Sequence, residues 1–372
     1  MTPEPDATPS TEPLLPVRAA GRLTSARRWQ LLGSVAVTAL FTWWAFRDTA
    51  WSAQWQSLRS ADHRWIWPYL GVLLAIHLCR TLRWGALLSG LEKVPFRPLN
   101  EASAIGFMLT LVLPFRLGEF ARPLLIAHRT SIGRSAAMTT VVLERIVDGL
   151  LVATLLRVML WVVPIESPHL PLIKAAANLM FLGFGGGMVF LLFAYWQQAR
   201  AIALVRATLG RLSASLAERA TGIIEGFVQA LRCLPGPRQT MGFFLWTGAY
   251  WGLNGLGMAL LARAFDCSGV TDACVPLTLG VPEAFIVMCV VVVGIMIPAA
   301  PGMMGTFQWA VKLGLGLFLP ATVVNASGLA YANVLWLSQT LQQVVLGAIM
   351  LWVSSVSFRD LTGKLAVTPP NE

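Results

Sequence analysis

LIKAAANLMFLGFGGGMVFLLFAYW, residues Leu172–Trp196, is a run of 25 residues that carries one charge, Lys174. A helix needs about 20 mostly apolar residues to cross the hydrocarbon core of a bilayer, so this run is long enough to span it. Seven other runs share its character: Trp29–Phe46, Trp65–Arg83, Ala137–Val163, Met241–Ala262, Val275–Pro298, Met303–Leu319 and Leu329–Val353. The whole chain agrees with them, being 56% apolar and 12% charged, where a soluble domain holds about 25% charged residues. Its mean hydropathy is +0.65. Such a composition excludes an ordinary cytosolic enzyme, a disordered chain and a secreted disulfide scaffold. Fifteen Trp and eighteen Phe against four Tyr suit a lipid-embedded body with interfacial anchors. The expected fold is an all-α integral membrane protein with about eight transmembrane helices.

Eight crossings place both termini on one side. The net charge of +10 would suit a nucleic-acid binder, but its distribution points to membrane topology and to no nucleic-acid partner. Of the 28 Lys and Arg, 20 fall before Trp29, in Arg80–Arg134, in Arg200–Arg238 and after Val353. Five fall in the alternate connections or, for Lys174, at the edge of one, and Arg145, Arg157 and Lys312 lie deeper within the runs. Lys and Arg accumulate in cytoplasmic loops. The expectation is a multi-pass protein of the inner (cytoplasmic) membrane, bacterial in type, with both termini in the cytoplasm.

The Pro-rich, weakly apolar segment 1–28 reads as a disordered cytoplasmic tail. Trp29–Phe46 is longer than a signal-peptide core and lacks an A-x-A site after it, so it reads as an uncleaved anchor. The membrane domain is 29–353, and 354–372 is a short cytoplasmic tail. Within the domain, 197–240 is the long cytoplasmic loop. Ile202, Val205, Leu209, Leu212, Leu216, Ile223 and Phe227 recur there at helical spacing, with Arg206, Arg211, Glu218 and Arg219 off the stripe. Such a helix lies on the inner leaflet or packs on the protein's own cytoplasmic face.

Ala104–Pro114 is too short to span and runs into Pro114, Arg116, Gly118, Glu119 and Arg122, the mark of a re-entrant segment. The second half echoes it with Ile295–Pro298, Pro301-Gly302 and Gly305. Interrupted apolar segments, one in each half, point to a transport site near the midplane. The bland alternative is that these prolines and glycines only mark helix ends.

Charges at membrane depth are costly and mark functional sites by default. Glu144 and Asp148 share one helix face and need a cation between them. Arg145 is placed to pair with Asp148, and Arg116 or Arg122 to answer Glu144. A lipid phosphate fits such a cluster, because a guanidinium binds phosphate bidentately and stays charged. A structural ion network that pins the re-entrant segment is the alternative. Glu283 lines the cavity or makes a structural hydrogen bond. Arg157 reads as a snorkelling or helix-pairing residue, His77 as a satisfied interior histidine and Asn254 as part of close helix packing. Lys312 is balanced between the two kinds of role. No His/Cys cluster has zinc spacing and Gly183–Gly187 follows no strand, so no metal and no cofactor is expected. Cys267 and Cys274 share an outer loop and are a candidate disulfide.

Leu113-Pro114-Phe115-Arg116-Leu117-Gly118-Glu119-Phe120-Ala121-Arg122 resembles the LPxRxGExxR signature of the flippase-like, lysylphosphatidylglycerol synthase membrane-domain family. Arg80-x-x-Arg83-Trp84, Glu144-Arg145-x-x-Asp148 and Pro298-x-x-Pro301-Gly302-x-x-Gly305 extend the resemblance over Trp29 to Val353. It implies an eight-helix membrane domain that moves phospholipid between leaflets. It also implies a substrate site drawn from Arg83, Arg116, Glu119, Arg122, Glu144, Arg145, Asp148, Glu283 and Gln308. Bifunctional members carry an aminoacyl-transferase domain after the membrane part, whereas nineteen residues follow Val353 here. A non-enzymatic transporter is therefore expected. Where the family often has Asn before LPxRxGE this chain has Thr110 and Leu111, and where it often has Glu after PGxxG this chain has Gln308. With one carboxylate fewer, a neutral or anionic phospholipid or isoprenoid lipid is expected rather than a cationic one. The rivals are a membrane enzyme acting on a lipid phosphate and a non-transporting scaffold.

Overall fold

The computed structural model describes residues 36, 39–49, 51–113, 118–211, 213–232, 236–267, 275–296 and 301–354. Helices and turns make up these residues, with no strand among them. Both tails, Arg116, Pro298 and Cys274 lie outside the described residues. Three helical stretches among them are long and apolar enough to cross a membrane: His63–Leu88, Leu170–Trp196 and Ala321–Val353.

After the first helix, visible over residues 39–46, a short helix α1 (Trp51–Ser60) leads to α2 (Ile66–Leu88). Asp62 opens the turn before α2 by accepting the Arg64 N–H at 3.0 Å. The inward stripe of α2 runs Tyr69, Leu73, Ile76, Arg80, Arg83 and Leu87, at alternating spacings of four and three. Two arginines therefore stand on a face that is otherwise apolar.

A broken pair follows, α3 (Phe96–Val112) and α4 (Ala121–Arg129), joined by the signature segment. The α3 helix is buried on every side from Glu101 to Leu111. Gly118 lies against the backbone of Leu109 and Thr110, where a Cβ would overlap it. Next come α5 (Arg134–Val162) and α6 (Leu170–Trp196). The expected cytoplasmic loop forms two helices, α7 (Gln198–Leu209) and α8 (Ala214–Arg232). They pack on each other, with α8 against α5 and α6, and close a small core of Ala194, Ala201 and Val228. Of the two expectations for this loop, packing on the protein's own end is the one these contacts carry.

The second half repeats the order of the first: a long helix α9 (Pro237–Ala262), a broken pair α10 (Val281–Gly294) and α11 (Thr306–Leu315), and a long helix α12 (Leu329–Val353). Two expected runs are shorter as helices than as apolar sequence. In Val275–Pro298, residues 275–280 are non-helical, because Pro276, Gly280 and Pro282 break the segment. In Met303–Leu319, only ten residues are α-helical. At about 1.5 Å per residue, α10 and α11 reach roughly 21 and 15 Å, short of the roughly 30 Å core. They pack antiparallel, Gly294 on Ala310 and Gly314 on Val287. This is a re-entrant hairpin, the counterpart of α3/α4. Its tip is set by Gly302 and Gly305, with φ of 75° and 85°. Gly305 also abuts Thr42, which leaves no room for a Cβ.

Packing between the halves is reciprocal: α2 lies on α9, α3 on α12, and α10 on α5. The α2–α9 pair is antiparallel, since Gly257 meets Tyr69 and Val72 while Tyr250 meets Arg83. The two halves are thus inverted relative to each other, the architecture of many transporters.

Candidate functional site

Arg83, Glu144 and Asp148 each stand on an inward helix face, and the crossing of α2 with α5 brings them together. Arg83 Nη1 donates to Asp148 Oδ1 at 2.6 Å and Nη2 to Asp148 Oδ2 at 2.8 Å. The same Nη2 reaches Glu144 Oε1 at 2.5 Å. Arg145 Nη2 lies 3.1 Å from Glu144 Oε1 and 3.1 Å from Asp148 Oδ2. Arg122 Nη2 completes the cluster from α4, 3.4 Å from Glu144 Oε2. Trp251 Nε1 donates to Asp148 Oδ1 at 3.0 Å. Arg83 and Glu144 are fully buried, whereas the Arg145 side chain is 33% exposed. Charges this deep are stable only when paired and hydrogen-bonded, and here every carboxylate oxygen of Glu144 and Asp148 has a guanidinium.

Aromatic rings hold the guanidinia from the other side. Arg122 lies 4.4 Å from the Trp84 ring centroid and 4.5 Å from that of Phe107, and Arg83 is 4.5 Å from Tyr250. The Trp84 indole is fixed in turn by donating to Thr140 Oγ1 at 3.1 Å.

Beside the cluster is a cavity of about 460 Å³. Its polar end carries Arg80, Arg145, Asp148 and Glu119, with Gln342 and Gln343 from α12. Its walls are apolar, including Leu73, Met180, Phe184, Met258 and Val291. Both hairpin tips reach it, the first through Thr110, Leu111 and Glu119, the second through Ile295, Gly302 and Met303. A space with charge at one end and hydrocarbon along its length matches an amphiphile.

Glu119, Arg145 and Asp148 thus line the cavity's polar end, and Arg83, Arg122 and Glu144 stand behind them in the buried ion cluster. Two candidates stand elsewhere. Gln308 is fully buried and caps α11, its Oε1 accepting the Gly305 N–H at 2.8 Å. It borders a second, outer hollow of about 630 Å³ between the first helix and α12. Glu283 sits in the first turn of α10 beside Gly280 and does not line the central cavity.

The remaining polar residues have structural partners. Arg157 pairs with Asn178 and stacks on Phe181, tying α5 to α6. Lys312 Nζ donates to Ala45 O at 2.8 Å, and His77 Nε2 meets Asn100 Oδ1 at 2.9 Å. Cys267 is disulfide-bonded, while its expected partner Cys274 lies outside the described residues. No group of three or more His, Cys, Asp or Glu able to hold a metal occurs among the described residues. Sequence reasoning named Arg80 within a motif but not among the site residues, and it passed over Tyr250, Trp251 and the glutamines of α12. For Arg80 the signal was present in the heptad of α2.

The family model described as the lysylphosphatidylglycerol synthase TM region matches residues 31–354, and the chain belongs to that family. No curated protein and no solved structure matches it.

Proposed function

We propose that this member of the lysylphosphatidylglycerol synthase TM-region family binds a phosphate-bearing lipid in its central cavity and moves it between leaflets. The observation that carries the reading is the cavity's two-ended chemistry: guanidinia at one end, apolar walls along the rest, and a re-entrant tip from each half at its border. Arginine forks bind phosphate, and apolar walls shelter acyl or isoprenoid chain. Inverted halves that meet at one site support alternating access by rocking one against the other. Glu144 and Asp148 are clamped by arginines on both oxygens, which suits a rigid frame better than proton transfer. We therefore read the chain as a transporter and not an enzyme. By the positive-inside rule it sits in the inner membrane with both termini in the cytoplasm.

Reconstitution into vesicles bearing a phosphate lipid labelled in one leaflet tests this. The expected result is faster redistribution between leaflets with the lipid chemically unchanged. A change in the mass of the lipid would favour an enzyme acting on the lipid phosphate. Redistribution no faster than in empty vesicles would overturn the transport reading.

A further inference from the structure

Arg80 differs from the other guanidinia around the cavity. Arg83, Arg122 and Arg145 share the carboxylates of Glu144 and Asp148, whereas no carboxylate among the described residues pairs with Arg80. Its one polar contact among the described residues is a long hydrogen bond, Nη1 to Gln343 Oε1 at 3.4 Å. It is held by rings instead, 3.3 Å from the centroid of Phe107 and 5.9 Å from that of Tyr250. A cation in a low-dielectric pocket without a counterion is costly, and it attracts an anion strongly.

A second observation points the same way. Among the described residues, three buried polar atoms on the cavity lining have no hydrogen-bond partner: Arg80 Nε, Arg145 Nε and Gln342 Nε2. All three are donors. The unfilled capacity of the site therefore asks for acceptor oxygens. An ammonium group would add donors to a surplus of donors. It would also find Asp148 already saturated by Arg83, Arg145 and Trp251, and Glu119 already engaged. Even with Glu119 counted, the four arginines Arg80, Arg83, Arg122 and Arg145 stand among only three carboxylates of the described residues.

We propose that Arg80 is the headgroup-selecting residue of the cavity, receiving the phosphate of a lipid whose headgroup is anionic and amine-free, and that lipids with amino-bearing headgroups are excluded. This rests on the lipid-binding reading above and narrows it to a substrate class. The unpartnered Gln342 Nε2 then serves a hydroxyl or ester oxygen beside the phosphate. Lysine at position 80 keeps the charge but loses the planar fork that lies on Phe107, so it substitutes only in part.

The test uses the full chain in mild detergent, with thermal stability read against added lipid, since a ligand specific to the folded state raises it. The probes are phosphatidylglycerol, phosphatidylethanolamine and lysyl-phosphatidylglycerol of the same acyl composition. For the wild type, phosphatidylglycerol should raise the melting temperature and the two amine lipids should not. R80Q should melt normally without lipid and need at least about ten-fold more phosphatidylglycerol for half its effect, and R80K should fall between. Equal stabilisation of the wild type by all three lipids overturns the selectivity and leaves lipid binding standing. An unchanged phosphatidylglycerol response in R80Q overturns the role of Arg80. No response of the wild type to any lipid overturns both this proposal and the binding reading beneath it.

Discussion

Arg83 holds two carboxylates in a place where none could survive alone. Its fork spans Asp148 and its second amino group serves Glu144 as well, all with the side chain fully buried. Removing one partner of a buried pair leaves an uncompensated charge, a loss on the order of 3–5 kcal/mol. Arg83→Met should therefore lower unfolding stability by about that much, measured by denaturant titration in detergent. Adding Glu144→Gln and Asp148→Asn to it should recover a large part of the loss. If the triple variant is no more stable than Arg83→Met, the cost lies in packing and not in orphaned charge. Arg97 is the control: it pairs with Glu101 but is 77% exposed, so Arg97→Ala should cost less than about 1 kcal/mol. Spacing within α5 was enough to show that Glu144 and Asp148 require cations, and the Arg145–Asp148 pair it suggested is present. Of Arg116 and Arg122, the candidates for Glu144, Arg122 pairs with it and Arg116 lies outside the described residues. It could not show that the strongest partner comes from α2, because pairing across helices depends on their crossing and not on sequence distance. For the same reason, Gln308 read as a site residue from its motif, while the fold spends its side chain on a helix cap.

At the scale of the element, the two hairpins depend on glycines where their arms touch. A Cβ on Gly294 would collide with Ala310, and one on Gly314 would stand 3.1 Å from Val287 Cα. Gly294→Val and Gly314→Val should each force the arms of the second hairpin apart, and overpacking of this kind costs about 1–3 kcal/mol. Gly71→Ala in α2 is the contrast, because nothing lies within 4 Å of its site. It should be neutral or stabilising by up to about 1 kcal/mol through helix propensity alone. Melting temperatures of the three variants decide the matter, and equal behaviour would mean the arms are not in close contact. The Trp336 indole adds a tie at the tip, donating to Gly302 O at 2.7 Å. The first broken segment was legible because eleven apolar residues ending in Pro114 cannot span. The second break was legible in Ile295–Pro298, Pro301-Gly302 and Gly305, but its arms were counted as two crossings. Counting apolar residues does not register that Pro276, Gly280 and Pro282 delay the helix start. Only the backbone shows that α10 and α11 are both too short.

For the whole molecule, hydrogen bonds join the loops that charge counting had already grouped. Asp62 N–H donates to Ala264 O at 2.8 Å, and Ser167 Oγ donates to Gly316 O at 3.0 Å, linking the connections sparse in Lys and Arg at one end. At the other end, Ser131 Oγ meets Glu92 Oε2 at 2.6 Å, and Arg129 pairs with Glu101 among the basic connections. Two independent signals, one from composition and one from geometry, therefore sort the chain into the same two ends. Which end faces the cytoplasm follows from the basic residues alone, and single-cysteine labelling in intact cells tests it. Cysteines at exposed positions Glu166 and Arg263 should react with a membrane-impermeant thiol reagent from outside. Cysteines at Arg206 and Arg134 should react only after the membrane is opened. The native Cys79 and Cys289 are buried and contribute little background. A pattern with the two pairs exchanged would invert the protein. The α3/α4 hairpin and the arginine cluster, which lie toward the basic end, would then face outward, and any lipid taken up there would start from the outer leaflet. Reaction of all four positions from one side would break the inverted relation of the halves, and with it the case for alternating access.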